Sequence, residues 1–167
     1  MEESDIIKKY PLAFSDDSMQ PIVLFGLEIS KGWYPLIENL CNLMYRNLRN
    51  INYSEDYYNK LLESKNFSTY SKEQIEEMLE KLKKNKEDVI NEMPKIEQVK
   101  EKFGTLRIYV SHMNMYVDGA IDMAEAMSEH ICEECGDKGK LYEMGWHKTL
   151  CKKHAYDRYG DKINEIL

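Results

Sequence analysis

Proline and glycine are scarce in this chain, four and eight among 167 residues, which excludes collagen-like and linker-rich architectures. No stretch approaches the 18 consecutive apolar residues that would span a bilayer. The opening Met1-Glu2-Glu3-Ser4-Asp5 is acidic and has no apolar core, so no secretory signal is expected. Bases are outnumbered, 23 against 30 acids for a net charge of −7, which argues against a general grip on phosphate backbones. Nucleic acid is therefore an unlikely partner on charge alone. Catalytic signatures are missing as well: there is no HExxH, GxSxG, GxxxxGK[ST], or GxGxxG after a strand. A chain with these absences is expected to remain in a reducing cytoplasm, where disulfides rarely persist.

What is present is enough for one core. Apolar residues make up 43% of the chain and aromatics 11%, the composition of a globular domain. Ile22 to Ile29 reads as a buried strand, apolar without clean alternation. Trp33, Leu36, Ile37, Leu40, Leu43, Met44 and Leu48 form one helical stripe, and Pro35 suits its first turn. Cys41 beside that stripe reads as a small buried hydrophobe.

From residue 49 to about 95 the composition turns polar, as in a helical insertion. Ser54 is expected to cap a short helix, and Ser71 with Gln74 reads as a capping box opening a longer one. Tyr53, Tyr57, Tyr58 and Tyr70 crowd the near end. Tyrosine gives large contact area at low entropic cost, so these four are candidate partner-binding residues. Leu106, Ile108 and Val110 alternate with Arg107 and Tyr109, the period of a half-buried strand. Arg107 is expected to pair with a carboxylate on a packing helix, Glu125 being a candidate. In the helix that follows, Val117, Ala120, Ile121, Ala124, Met127 and Ile131 mark one side and Asp118, Asp122, Glu125 and Glu129 the other. Met115, Met123 and Met127 are expected on a helix near a core, not in a promiscuous groove.

Three of the four cysteines lie in the last 36 residues. Cys132-Glu-Glu-Cys135 is followed after fifteen residues by Cys151-Lys-Lys-His154, a two-pair spacing that fits a tetrahedral zinc site. Each pair points two donors to one side of a turn. Lys140 to Leu150 reads as two short strands about Gly145, so knuckle, hairpin and helix follow in the order of a treble-clef finger. Four protein donors leave no open coordination position, which predicts one structural zinc ion rather than a catalytic one. His130 and His147 flank the site as alternative donors. No nucleophile-and-base constellation assembles, so a non-catalytic protein is expected. The expected fold is α+β: a small sheet with packed amphipathic helices over residues 1–131, and a fused zinc finger over 132–167.

Three stretches together also carry a resemblance. Phe25-Gly26-Leu27-Glu28 with Gly32-Trp33-Tyr34-Pro35, then Val99 to Tyr109, then Ala124 to Ser128 with Cys132 to Gly136, Gly145-Trp146 and Thr149-Leu150-Cys151 resemble, in that order, a family of small uncharacterised proteins of tailed phages and prophages. Family members often close the finger with a second CxxC, where this chain has His154. The resemblance implies a phage product in a bacterial cytoplasm. By analogy with small accessory phage proteins, it implies a protein that binds and inhibits a bacterial host or defence protein. Two other classes stay open: a nucleic-acid-associated zinc protein, and a sponge for a small signalling nucleotide.

Overall fold

The computed structural model describes residues 2–65, 67–112 and 114–165, with side chains described as far as residue 162. The fold is α+β, with seven α-helices among the described residues and a mixed three-stranded sheet. The chain divides into two compact units, one of residues 1–43 with 94–167 and one of residues 44–93.

The first unit is built on a sheet of order β1-β2-β3, with β1 at Leu27–Glu28, β2 at Ile96–Lys102 and β3 at Thr105–Val110. β1 lies parallel to β2, pairing Leu27 with Val99, while β3 runs antiparallel to β2. The two-residue turn Phe103-Gly104 joins β2 and β3 with φ of 54° and 76°. Two consecutive positive φ values give a turn whose twist matches that of the flanking strands. Ile96, Val99 and Leu106 are fully buried, so the alternation read in β3 does mark a core face.

Helix α1 (Glu3–Lys9) sends the Glu3 carboxylate to the Leu27 amide at 2.9 Å. The apolar run Ile22–Ile29 is not one strand. Pro21–Phe25 forms a single-turn helix α2, and only Leu27–Glu28 is extended. Pro21 stands at the first helical turn, where its missing N–H is no loss. Gly26 then ends the turn at φ 69°. Val23, Leu24 and Phe25 are exposed, so the run never had two faces to bury.

Helix α3 (Tyr34–Met44) buries Leu36, Ile37, Leu40 and Met44 of the stripe and Cys41 beside it. Leu43 is exposed, and Leu48 lies beyond the helix's end, because the helix breaks at Tyr45 and the next one starts at Arg46. Burial pushes the Cys41 thiol up to about 12, the behaviour of an inert core cysteine.

Helix α6 (Met115–Ser128) packs on β3 and closes its open edge. Glu125 Oε1 accepts from the Ile108 amide and Ser128 Oγ from the Leu106 amide, each at 2.9 Å. Side-chain acceptors thus satisfy a strand edge that would otherwise offer donors to another chain. Arg107 Nη1 reaches Glu125 Oε2 at 3.4 Å, the pairing expected from sequence. The methionines differ from expectation. Val117, Ile121, Ala124 and Ser128 take the buried side, whereas Met115, Met123 and Met127 are exposed. One helix has one inward arc, and those four residues fill it.

The second unit is a pair of helices, α4 (Arg46–Glu63) and α5 (Lys72–Asn91), lying against each other. Ser54 does not start a helix: it lies inside α4, its hydroxyl turned back to the Asn50 carbonyl at 3.0 Å. A serine that finds its own backbone acceptor needs no helix end. The Ser71–Gln74 capping box forms in both directions. Leu48, Ile51 and Ile75 are buried, and Lys86 ties α5 to Glu55 of α4 at 2.7 Å.

Candidate metal centre

The knuckle is set by backbone chemistry. The Gly136 amide donates to the Cys132 carbonyl at 2.8 Å, and the Cys132 amide to the Asp137 carbonyl at 2.7 Å. Gly136 carries φ 82°, a conformation that L side chains rarely adopt. Strands β4 (Lys140–Tyr142) and β5 (Lys148–Leu150) then pair antiparallel, and helix α7 (Lys152–Tyr159) begins directly after Cys151. The expected order of knuckle, hairpin and helix is present.

This arrangement brings Cys132, Cys135, Cys151 and His154 together, their donor atoms all within 4.8 Å of one another. Cys135 Sγ lies 3.8 Å from Cys151 Sγ, and His154 Nδ1 lies 3.4 Å from Cys132 Sγ and 3.3 Å from Cys151 Sγ. Metal–sulfur bonds of ~2.3 Å and metal–nitrogen bonds of ~2.0–2.1 Å place the corners of a tetrahedron about 3.6–3.8 Å apart. These sulfur and nitrogen separations lie near those edges, so the four side chains are close enough together to hold one metal ion. His130 and His147 lie outside the cluster. His147 instead faces the Phe103 ring, the centroids 6.1 Å apart.

The thiols hold their protons unequally. Desolvation, together with Cys132, Asp137 and Cys151, pushes the Cys135 thiol up to about 12 although the residue is solvent-exposed. The His154 backbone N–H, aimed at Cys151 Sγ from the start of α7, holds that thiol below its ordinary value. Crowded sulfurs become stable together as thiolates when a cation sits among them, so metal binding releases protons.

The cluster is not a free-standing finger. Trp33, fully buried, donates its Nε1–H to the Ile131 carbonyl at 2.7 Å. The Gly32 amide donates to the Glu133 carbonyl at 2.8 Å. A Cβ on Gly32 would stand 2.2 Å from the Cys132 carbonyl oxygen and 2.6 Å from the Gly136 nitrogen. From the other side, Thr149 Oγ1 donates to the Gly104 carbonyl at 2.6 Å. Residues from three separate segments thus converge on one junction: the Gly32 turn meets the knuckle through a backbone hydrogen bond, and Trp33 and Thr149 add bonds from their side chains to backbone carbonyls.

A charge clasp beneath the knuckle was not legible in the sequence. Lys148 Nζ lies 2.8 Å from Glu133 Oε1 and 3.5 Å from Glu101 Oε2. The Glu133 side chain is 1% exposed, and the contact is an ion pair whose angle leaves Oε1 without a well-formed hydrogen bond. Burial holds the Glu133 carboxyl above its ordinary value against the pull of Lys148. For Lys148, burial pulls the other way, but Glu133 and Glu101 hold it above its ordinary value. The three charges come from three separate segments, so no local spacing announces them.

The tyrosines read as partner-binding lie in the other unit. Tyr57 and Tyr58 meet edge-on at 5.3 Å, and Tyr58 meets Tyr70 at 6.1 Å, while Tyr53 is 78% exposed. No helix among the described residues is long and apolar enough to cross a membrane. No protein-family model matches the chain, no curated protein matches its sequence, and no solved structure matches its fold.

Proposed function

We propose that this chain is a non-catalytic binding protein of a tailed phage or prophage, held in shape by one structural zinc ion. It acts in the bacterial cytoplasm by stoichiometric occlusion of a host or defence protein. Zinc is favoured because three thiolates and one imidazole at tetrahedral spacing are the donor set of closed structural sites. With every position taken by protein, the ion orients the chain and leaves no place for substrate.

The observation that carries the binding role is the tyrosine row of residues 44–93. Tyr57, 48% exposed, Tyr58 and Tyr70 brace one another edge-on, so the rings are partly ordered before any partner arrives. Preordered aromatics lose little entropy on binding, the property of interface anchors. The test is capture of a partner from infected cells by wild-type protein and by a Tyr53→Ala/Tyr57→Ala variant, each checked for one equivalent of zinc. The variant is expected to lose the partner and the biological effect while keeping its metal. Replacement of residues 50–93 by a short Gly/Ser bridge, with zinc and full effect retained, would overturn the reading.

A second reading has one observation of its own. An open pocket of about 680 Å³ on the finger is lined by Lys138, Lys140, Lys152 and Lys153 against the single acid Asp137, with Tyr142, Leu150 and the metal donor Cys151. Its basic rim suits a phosphate-bearing ligand, either a signalling nucleotide or a nucleic-acid end. A nucleotide released by heating purified protein, identified by chromatography, would favour this reading over occlusion.

A further inference from the structure

Helix α6 has two unlike outer rows. Met115, Gly119, Met123 and Met127 run along it together with Tyr116 and Ala126, the methionines 94%, 66% and 46% exposed. A Cβ on Gly119 would meet nothing within 4 Å, so the row is open to a close approach. Asp118, Asp122, Glu125 and Glu129 follow at i, i+4, i+7 and i+11, which makes a second row along one edge of the first. Glu125 is committed to Arg107 and the Ile108 amide. The inward arc is already filled by Val117, Ile121, Ala124 and Ser128, so the packing of α6 on the sheet does not require the methionines. A contiguous exposed apolar row of this kind marks an interaction site, and methionine adapts to varied apolar partners.

The charge row identifies the occupant. A second copy of α6 offers no complement in either direction: its sequence holds no Lys or Arg, and packed antiparallel about a twofold axis it would bring acidic row against acidic row. A helix with an apolar stripe and basic residues along one edge has the complementary pattern. We infer that the outer face of α6 is a docking face for a basic amphipathic helix of another protein. The 14 residues of α6 give it a length of about 21 Å, enough for four turns of partner. This surface lies outside residues 44–93, and the inference does not rest on the tyrosine reading.

The test uses the full chain with ¹³C-methyl-labelled methionine and three synthetic helical peptides. Two share one leucine stripe, with lysines or glutamates along one edge, and the third scrambles the lysine peptide. The lysine peptide is expected to bind at least tenfold more tightly than either of the others and to shift the methyl signals of Met115, Met123 and Met127. Met123→Asp is expected to weaken it at least tenfold, and Asp118→Asn/Asp122→Asn to narrow the preference for lysine over glutamate. Because all three positions face outward, circular dichroism should show unchanged helix; Met123→Ala serves as the gentler variant. The Tyr53→Ala/Tyr57→Ala protein should bind the peptide as wild type does. Equal affinity for all three peptides, no methyl shift at millimolar peptide, or methyl shifts that follow protein concentration without peptide would each overturn the inference.

Discussion

Gly32 and Gly119 show how little a residue type says without its surroundings. At Gly32 an added methyl would strike backbone atoms of the knuckle at 2.2 and 2.6 Å, and backbone cannot turn aside as a side chain can. Gly32→Ala should therefore cost at least the ~1–3 kcal/mol of an overpacked core and loosen the metal. Chemical denaturation and a chelator competition would both register it. At Gly119, within α6, the same change meets empty space and should stabilise by about 0.5–1 kcal/mol through helix propensity. Lys148 gives a third case. Its side chain is 16% exposed between two carboxylates, and Lys148→Met leaves both without their cation. Removing one partner of a buried pair costs about 3–5 kcal/mol, and adding Glu133→Gln should restore part of it, as a double-mutant cycle in urea would measure.

The elements differ in how far the chain announced them. The capping box at Ser71 and the alternation of β3 were legible because each is a local pattern with a local cause. The metal donors were legible because two short spacings suffice. Other boundaries depended on partners far away in sequence: Pro21 and Gly26 recast an apolar run as a helical turn, and Ser54 was absorbed into a longer helix. Apolar character alone points the methionines of α6 inward, because it indicates burial without saying against what. The turn joining β2 and β3 carries a prediction of its own. Phe103 holds φ 54° while 68% exposed, a backbone region that costs a bulky residue about 1–3 kcal/mol. Phe103→Asn, a residue this turn favours, should raise stability by about 1 kcal/mol after loss of the contact with His147. Thermal unfolding at matched zinc content would show the change.

Across the whole molecule, the hydrogen bonds of the junction are expected to couple metal binding at the finger to the stability of the sheet. Structural zinc contributes an apparent ~10–16 kcal/mol in isolated finger peptides, and here the finger also holds Trp33 and Gly32 at its knuckle and Gly104 through Thr149 of β5. Chelation is expected to lower hydrogen-exchange protection of β2 and β3 along with that of the finger. The capped helix α5, in the other unit, should keep its own protection. Loss confined to residues 132–159 would show that finger and sheet are energetically independent.

The indole hydrogen bond of Trp33 spans 98 residues of sequence, and this sets an order of events during synthesis. A ribosome releases Trp33 long before it makes Ile131, and the metal donors that fix the knuckle come later still. Through that interval the largest core side chain of the first unit lacks its acceptor and its enclosing wall, while the helices of residues 44–93 already have each other. Closing so long a loop slows folding more than it weakens the product. The nascent chain should therefore expose an aromatic anchor until its last donor has emerged, and cellular zinc supply should influence how much chain reaches the folded state as well as how stable that state is.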